Sequence, residues 1–92
     1  MKFVAFNLGA RKKNEVVEVT LSSRAYVRLI DDDNFSLYKT GGKYSFFGGI
    51  VRFSPYHIAI PRDGNWHIAV DMGDKSGKIA MKITATAKVL RR

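Results

Sequence analysis

Two histidines and an aspartate, His57, His67 and Asp71, are the residues of this chain best suited to hold a metal ion. Two imidazoles and a carboxylate are an adequate donor set for zinc or another borderline metal. A histidine beside a carboxylate also suits acid–base chemistry, provided that both line one cleft. The segments around them decide whether the three can meet. Ile58-Ala-Ile-Pro-Arg-Asp-Gly-Asn-Trp-His-Ile-Ala-Val-Asp-Met-Gly73 reads as a β-hairpin, two alternating apolar runs around a Pro/Asp/Gly turn. Pairing Ile60 with Trp66 sets Ile58 opposite Ile68 and Tyr56 opposite Val70, so all the large apolar groups share a face. A slip of one residue would mix the faces. This register predicts Trp66 in the core and puts His57, Ala59, His67, Ala69 and Asp71 outside, with His57 diagonal to both His67 and Asp71. Ordinary polar residues on a solvated or sheet-covered face give the same pattern. The spacing matches no established ligand motif and no nucleophile accompanies the pair. GxSxG, Walker, HExxH and GxGxxG sequences are all lacking. The expectation is a binding protein that is not an enzyme and uses no cofactor. A small enzyme or metal site at His57, His67 and Asp71 is the rival.

Asp31-Asp32-Asp33-Asn34 offers several oxygens to a calcium ion. In an EF-hand register that starts at Asp31 the third ligand falls on Phe35, so that match fails. The plainer expectation is that Asp32 or Asp33 caps a short helix over about residues 33–39, with acidic charge at its positive end. Gly41-Gly42 would stop it, and Phe35 and Tyr38, three apart, would share its sheet-facing side.

Residues 35–56 hold Phe35, Tyr38, Tyr44, Phe46, Phe47, Phe53 and Tyr56, interleaved with Lys39, Lys43 and Arg52. Rings flanked by cations describe a stacking platform for single-stranded nucleic acid, and equally a core covered by long basic side chains. The expected ligand face is Tyr38, Lys39, Lys43, Tyr44 and Arg52, approached closely at the Gly41-Gly42 and Gly48-Gly49 bends. The partner would be a protein or small molecule. Nucleic acid is the competing partner, through outward residues of the last strand, Lys78, Lys82, Lys88 and Arg91.

The elements that would carry these groups are strands. Val17, Val19 and Leu21 alternate with Glu18 and Thr20, and Ala25, Val27 and Leu29 alternate with Tyr26, Arg28 and Ile30. The Ser22-Ser23-Arg24 turn between them predicts an antiparallel hairpin. A first strand is expected over 2–7 and a basic loop over 9–14. A bent strand is expected over 43–53, and a long alternating strand over 78–90 with Ile79, Met81, Ile83, Ala85, Ala87 and Val89 inward. The expected architecture is all-β, a small antiparallel sandwich of about seven strands with one short helix. A partly open barrel is the other possibility.

The chain has 92 residues with 46% hydrophobic and 26% charged content, which predicts one domain, 1–92, without a linker. No apolar run approaches a membrane span and no signal-peptide pattern opens the chain, so a cytoplasmic protein is expected. Zero cysteines exclude disulfide and thiolate chemistry. The net charge of +8, from 16 Lys+Arg against 8 Asp+Glu, favours acidic partners or phosphates, or serves solubility alone. An uncapped strand edge would also allow a homodimer.

The ordered series Val17-Glu-Val-Thr-Leu, Val27-Arg-Leu-Ile-Asp, Asn34-Phe-Ser-Leu-Tyr-Lys-Thr-Gly41, Gly48-Gly, Ser54-Pro, Ile60-Pro and Gly64-Asn-Trp-His-Ile-Ala-Val-Asp71 resembles a bacterial family. It is the one numbered 1883 among domains of unknown function. The resemblance covers about residues 3–90 and brings no catalytic residues with it. It implies a domain found alone or beside signalling domains of the TIR type, hence a recognition module.

Overall fold

The computed structural model describes residues 3–73 and 83–90. Its elements are β1 (Phe3–Arg11), β2 (Val16–Leu21), β3 (Ala25–Asp31), α1 (Asp32–Thr40), β4 (Phe47–Val51), β5 (Tyr56–Ala59), β6 (Gly64–Asp71) and β7 (Ala85–Leu90). They form two antiparallel sheets, β1-β6-β3-β4 and β5-β2-β7, which are not closed into a barrel.

The alternations place side chains on the expected faces. Val17, Val19 and Leu21 from one sheet meet Val27, Leu29, Trp66, Ile68 and Val70 from the other in a single core. Ala85, Ala87 and Val89 pack against it, while Thr86 and Lys88 face solvent. The rest of the predicted 78–90 strand, with Ile79 and Met81, lies outside the described residues.

Both predicted hairpins are overturned. β2 and β3 do not pair: Ser22–Arg24 carries the chain from one sheet to the other. Backbone groups at that crossing bond to the residue that leads into β7 of β2's own sheet and to the β4–β5 connection. Ser22 N donates to Thr84 O at 3.0 Å, and Leu21 N to Ser54 Oγ at 2.9 Å. Likewise β5 and β6 belong to different sheets. Val17 pairs with Ile58 and Val19 with Tyr56, whereas Ile68 lies between Phe6 and Leu29. Ile60 stays with the three-stranded sheet, because its N–H donates to Glu15 O at 2.8 Å. The apolar faces of each predicted hairpin therefore oppose each other across the core instead of lying side by side.

β1 also runs further than predicted, through the presumed loop to Arg11. A bulge lies between Asn7 and Gly9, where Asn7 Oδ1 accepts from Gly9 N at 2.9 Å. The bulge adds one residue, Leu8, which packs against the core.

A second, smaller core lies on the outer face of the four-stranded sheet. Ile30, Tyr38 and Ala69 form it with Phe3, Phe35 and Tyr44. Helix α1 supplies its lid, which is why β3 and β6 are buried on both faces over much of their length. Asp31, one residue before the expected caps, is the N-cap, its carboxylate accepting from Asn34 N at 2.9 Å. Gly41 ends the helix in the left-handed region at φ 82, where a residue with a Cβ would be strained.

Gly48 is the tightest point of β4. At φ 112 it lies opposite Arg28, and a Cβ there would fall 2.3 Å from the Val27 carbonyl oxygen. Gly48→Ala is expected to cost about 1–3 kcal/mol. Urea denaturation checks it, and an unchanged midpoint would show that β4 shifts without penalty.

Candidate functional site

The outer face of the four-stranded sheet carries a buried ionic network. Arg28 lies opposite Ala69, and Asp71 opposite Tyr26, so Arg28 and Asp71 are diagonal neighbours. Arg28 Nε donates to Asp71 Oδ2 at 2.8 Å and Nη2 to Oδ1 at 3.2 Å. Tyr38 Oη, reaching down from α1, donates to Oδ2 at 2.7 Å, and Gly73 N donates to Oδ1 at 2.7 Å. Burial alone would push the Asp71 carboxyl up. Hydrogen bonds from Arg28 and Tyr38, with the Arg28 charge, hold it below its ordinary value. Burial and the adjacent carboxylate push the Tyr38 phenol well up, so it stays a donor. Burial opposes the Arg28 charge, but Asp71 holds its pKa above the ordinary value.

Aromatic rings enclose the same guanidinium. Its carbon lies 4.6 Å from the Phe46 ring centre, 4.8 Å from Tyr26 and 5.9 Å from both Tyr38 and Tyr44. A desolvated cation among rings gains ~2 kcal/mol or more. Residues 44–46 thus cross the guanidinium as a strap, and Ser45 N donates to Asn34 Oδ1 on α1 at 2.8 Å. The strap leads directly into β4. Arg28 and Asp71 are 43 positions apart, and no local spacing in the chain announces their pairing.

The Asp71 carboxylate is fully engaged. Asp71 accepts from Arg28, Tyr38 and Gly73, and among the described residues no buried side-chain nitrogen or oxygen lacks a partner.

The structure separates the expected metal ligands. His57 belongs to β5, paired with β2, while His67 and Asp71 belong to β6 in the other sheet. All three face away from the core between the sheets, and the two outward faces lie on opposite sides of it. His57 Nε2 contacts Glu18 Oε2 at 3.0 Å. His67 stacks on Phe35 at 4.2 Å and contacts Asp32 Oδ1 at 2.5 Å. Among the described residues no three His, Cys, Asp or Glu side chains come together as a metal site. Two of the acids at the start of α1 are also engaged. Asp31 caps the helix and pairs with Arg62, and Asp32 meets His67.

The expected ligand residues are divided. Tyr38 is 2% exposed and serves the second core, and Tyr44 is half-buried in the strap. Lys39 is exposed with its ammonium 4.7 Å from the Phe35 ring centre. Lys43 and Arg52 are exposed at the two approaches to β4. Of the expected basic stripe, Lys78, Lys82 and Arg91 lie outside the described residues. Lys88 Nζ pairs with Glu18 Oε1 at 3.3 Å.

What the sequence reading missed is the edge of β4. Among the described strands β4 pairs with β3 alone, so alternate amides and carbonyls face outward. Large apolar side chains crowd this edge: Phe53 is 85% exposed, Ile50 50%, Phe47 46% and Phe46 36%. Arg24, Lys43 and Arg52 are exposed around it, and no Asp or Glu occurs between Asp33 and Asp63. The signal in the sequence was a run of rings and glycines without acids, which by itself equally describes a core strand.

The family model for a domain of unknown function, DUF1883, matches residues 1–89. No curated protein and no solved structure matches the chain.

Proposed function

Since the chain belongs to the DUF1883 family, we infer that it acts as a non-catalytic recognition module whose binding surface is the open edge of β4. The observation that carries this reading is the exposure of Phe46, Phe47, Ile50 and Phe53 along a strand that, among the described strands, pairs on one side only. Large apolar side chains left exposed on both faces of an edge strand, with cations at its rim, mark an interaction site on a small domain. The Arg28 network supports the reading by holding the 44–46 strap, and so the start of β4, in one place. Nucleic acid is the less favoured partner, because β4 carries no cation within Phe47–Val51 to follow a phosphate backbone.

Selection of a random displayed peptide library on the protein tests this. The enriched peptides should bind Ile50→Glu at least about tenfold more weakly, a loss of ~1.4 kcal/mol or more. They should bind Thr20→Glu, altered on the exposed face of the other sheet, as they bind the parent. Enrichment of nothing, or of peptides indifferent to Ile50→Glu, removes β4 as the binding surface.

A further inference from the structure

We propose that β4 recognises an extended acidic segment of a partner protein, which joins the four-stranded sheet as a fifth strand. This rests on the reading of β4 as the recognition surface and names its partner.

Three observations converge. The first is the free edge itself. A strand added about 4.8 Å from β4 would satisfy its outward backbone groups. The second is a pair of hollows near the end of β4. One, of ≈ 220 Å³, lies beside Ile50, walled by Tyr26, Ala25 and Met72 and rimmed by Arg24. The other, of ≈ 240 Å³, lies where the chain leaves β4, between Leu21, Phe53 and Ser54 and rimmed by Arg52. Both fall below the ~300 Å³ at which small-molecule pockets begin, and so suit single side chains. In strand addition the backbone provides affinity while such hollows select the side chains. The third observation is charge. Arg24 and Arg52 rim the hollows and Lys43 stands at the other approach to β4. None of the three belongs to an ion pair among the described residues. An acidic segment complements that field. A second copy of the chain would bring its own Arg24, Lys43 and Arg52 to the same edge, and like charges would oppose the contact.

Fluorescence anisotropy with labelled synthetic decapeptides tests the proposal. The probes are an alternating valine–glutamate peptide, its valine–lysine counterpart, and the valine–glutamate peptide N-methylated at alternate residues. The valine–glutamate peptide should bind saturably, and at least about tenfold more tightly than either of the others. Ile50→Glu should abolish binding while circular dichroism shows the fold retained. Equal binding of the N-methylated peptide overturns strand addition and leaves β4 as a side-chain surface. Binding unaffected by Ile50→Glu overturns β4 itself. Failure of every peptide, with salt-dependent binding of a single-stranded oligonucleotide, overturns the proposal in favour of nucleic acid. Failure of every peptide, with a concentration-dependent dimer broken by Ile50→Glu, overturns it in favour of self-pairing.

Discussion

Asp71→Ala is expected to destabilise the protein by about 3–5 kcal/mol, because it strips a buried guanidinium of its carboxylate partner. Domains of this size have about 5–15 kcal/mol in total, so the variant should be marginal or unfolded at 37 °C. The loss has two parts. Arg28 keeps its charge in a site closed by Tyr26, Tyr38, Tyr44 and Phe46, and the Tyr38 hydroxyl and Gly73 amide lose their acceptor. Arg28→Lys should also weaken the network, since one ammonium cannot supply the forked pair of bonds. In a cycle of Arg28→Met and Asp71→Leu the double variant should lie much nearer the parent than the two single losses predict, since apolar groups of similar shape can replace a buried pair. Urea midpoints measure all of these, and additive losses would show that the pair does not act as a unit.

The same network sets a pH dependence. The folded Asp71 carboxyl titrates below its ordinary value, so its contribution is complete above the unfolded value of about 3.9. It declines as pH falls through the lower, folded value. Glu18 and Asp31 are lowered as well and act in the same direction. Stability of the parent should therefore fall on acidification below about pH 4, and Asp71→Asn should flatten that fall. An equally steep profile in Asp71→Asn would assign the acid sensitivity elsewhere.

Trp66→Ala is expected to cost about 3–5 kcal/mol, the cost of emptying an aromatic site in a packed core. Trp66 is 1% exposed at the heart of β6. Its indole N–H donates to Arg62 O at 3.0 Å, the Arg62 guanidinium lies 4.9 Å from its ring centre, and Phe47 approaches edge-on at 6.1 Å. Removal would open a hole in the core and release the crossing between β5 and β6. Trp66→Phe, which keeps a ring and loses the N–H, should cost clearly less. Calorimetry of both variants tests this. Because Trp66 is the sole tryptophan, its emission in the parent should be blue-shifted when folded and move red on unfolding. A native emission already at the solvated wavelength would contradict its burial.

Inside and outside were legible in the sequence. A strand's side chains alternate with period two, so Val17, Val19 and Leu21, or Trp66, Ile68 and Val70, announce a core-facing stripe without reference to any neighbour. The helix was legible for the same local reason. Aspartates open it, Gly41 follows it, and Phe35 and Tyr38 sit three apart on its inner side. Partnership was not legible. A core between two sheets presents the same apolar stripe whether two strands pair side by side or face each other across it. Ile58 and Ile68 therefore looked like neighbours and are opposite walls. That single ambiguity moved His57 to the far side of the protein from His67 and Asp71, and dissolved the metal site. Asp71 looked like a solvated residue because alternation assigns it outward. Only the packing of α1 over that face turns outward into buried and brings it Arg28 from 43 positions away. The β4 edge has the same origin. Rings and glycines are written in the chain, but which strands stand at the edges is a property of the assembled sheets, because an edge exists only once all other pairings are made.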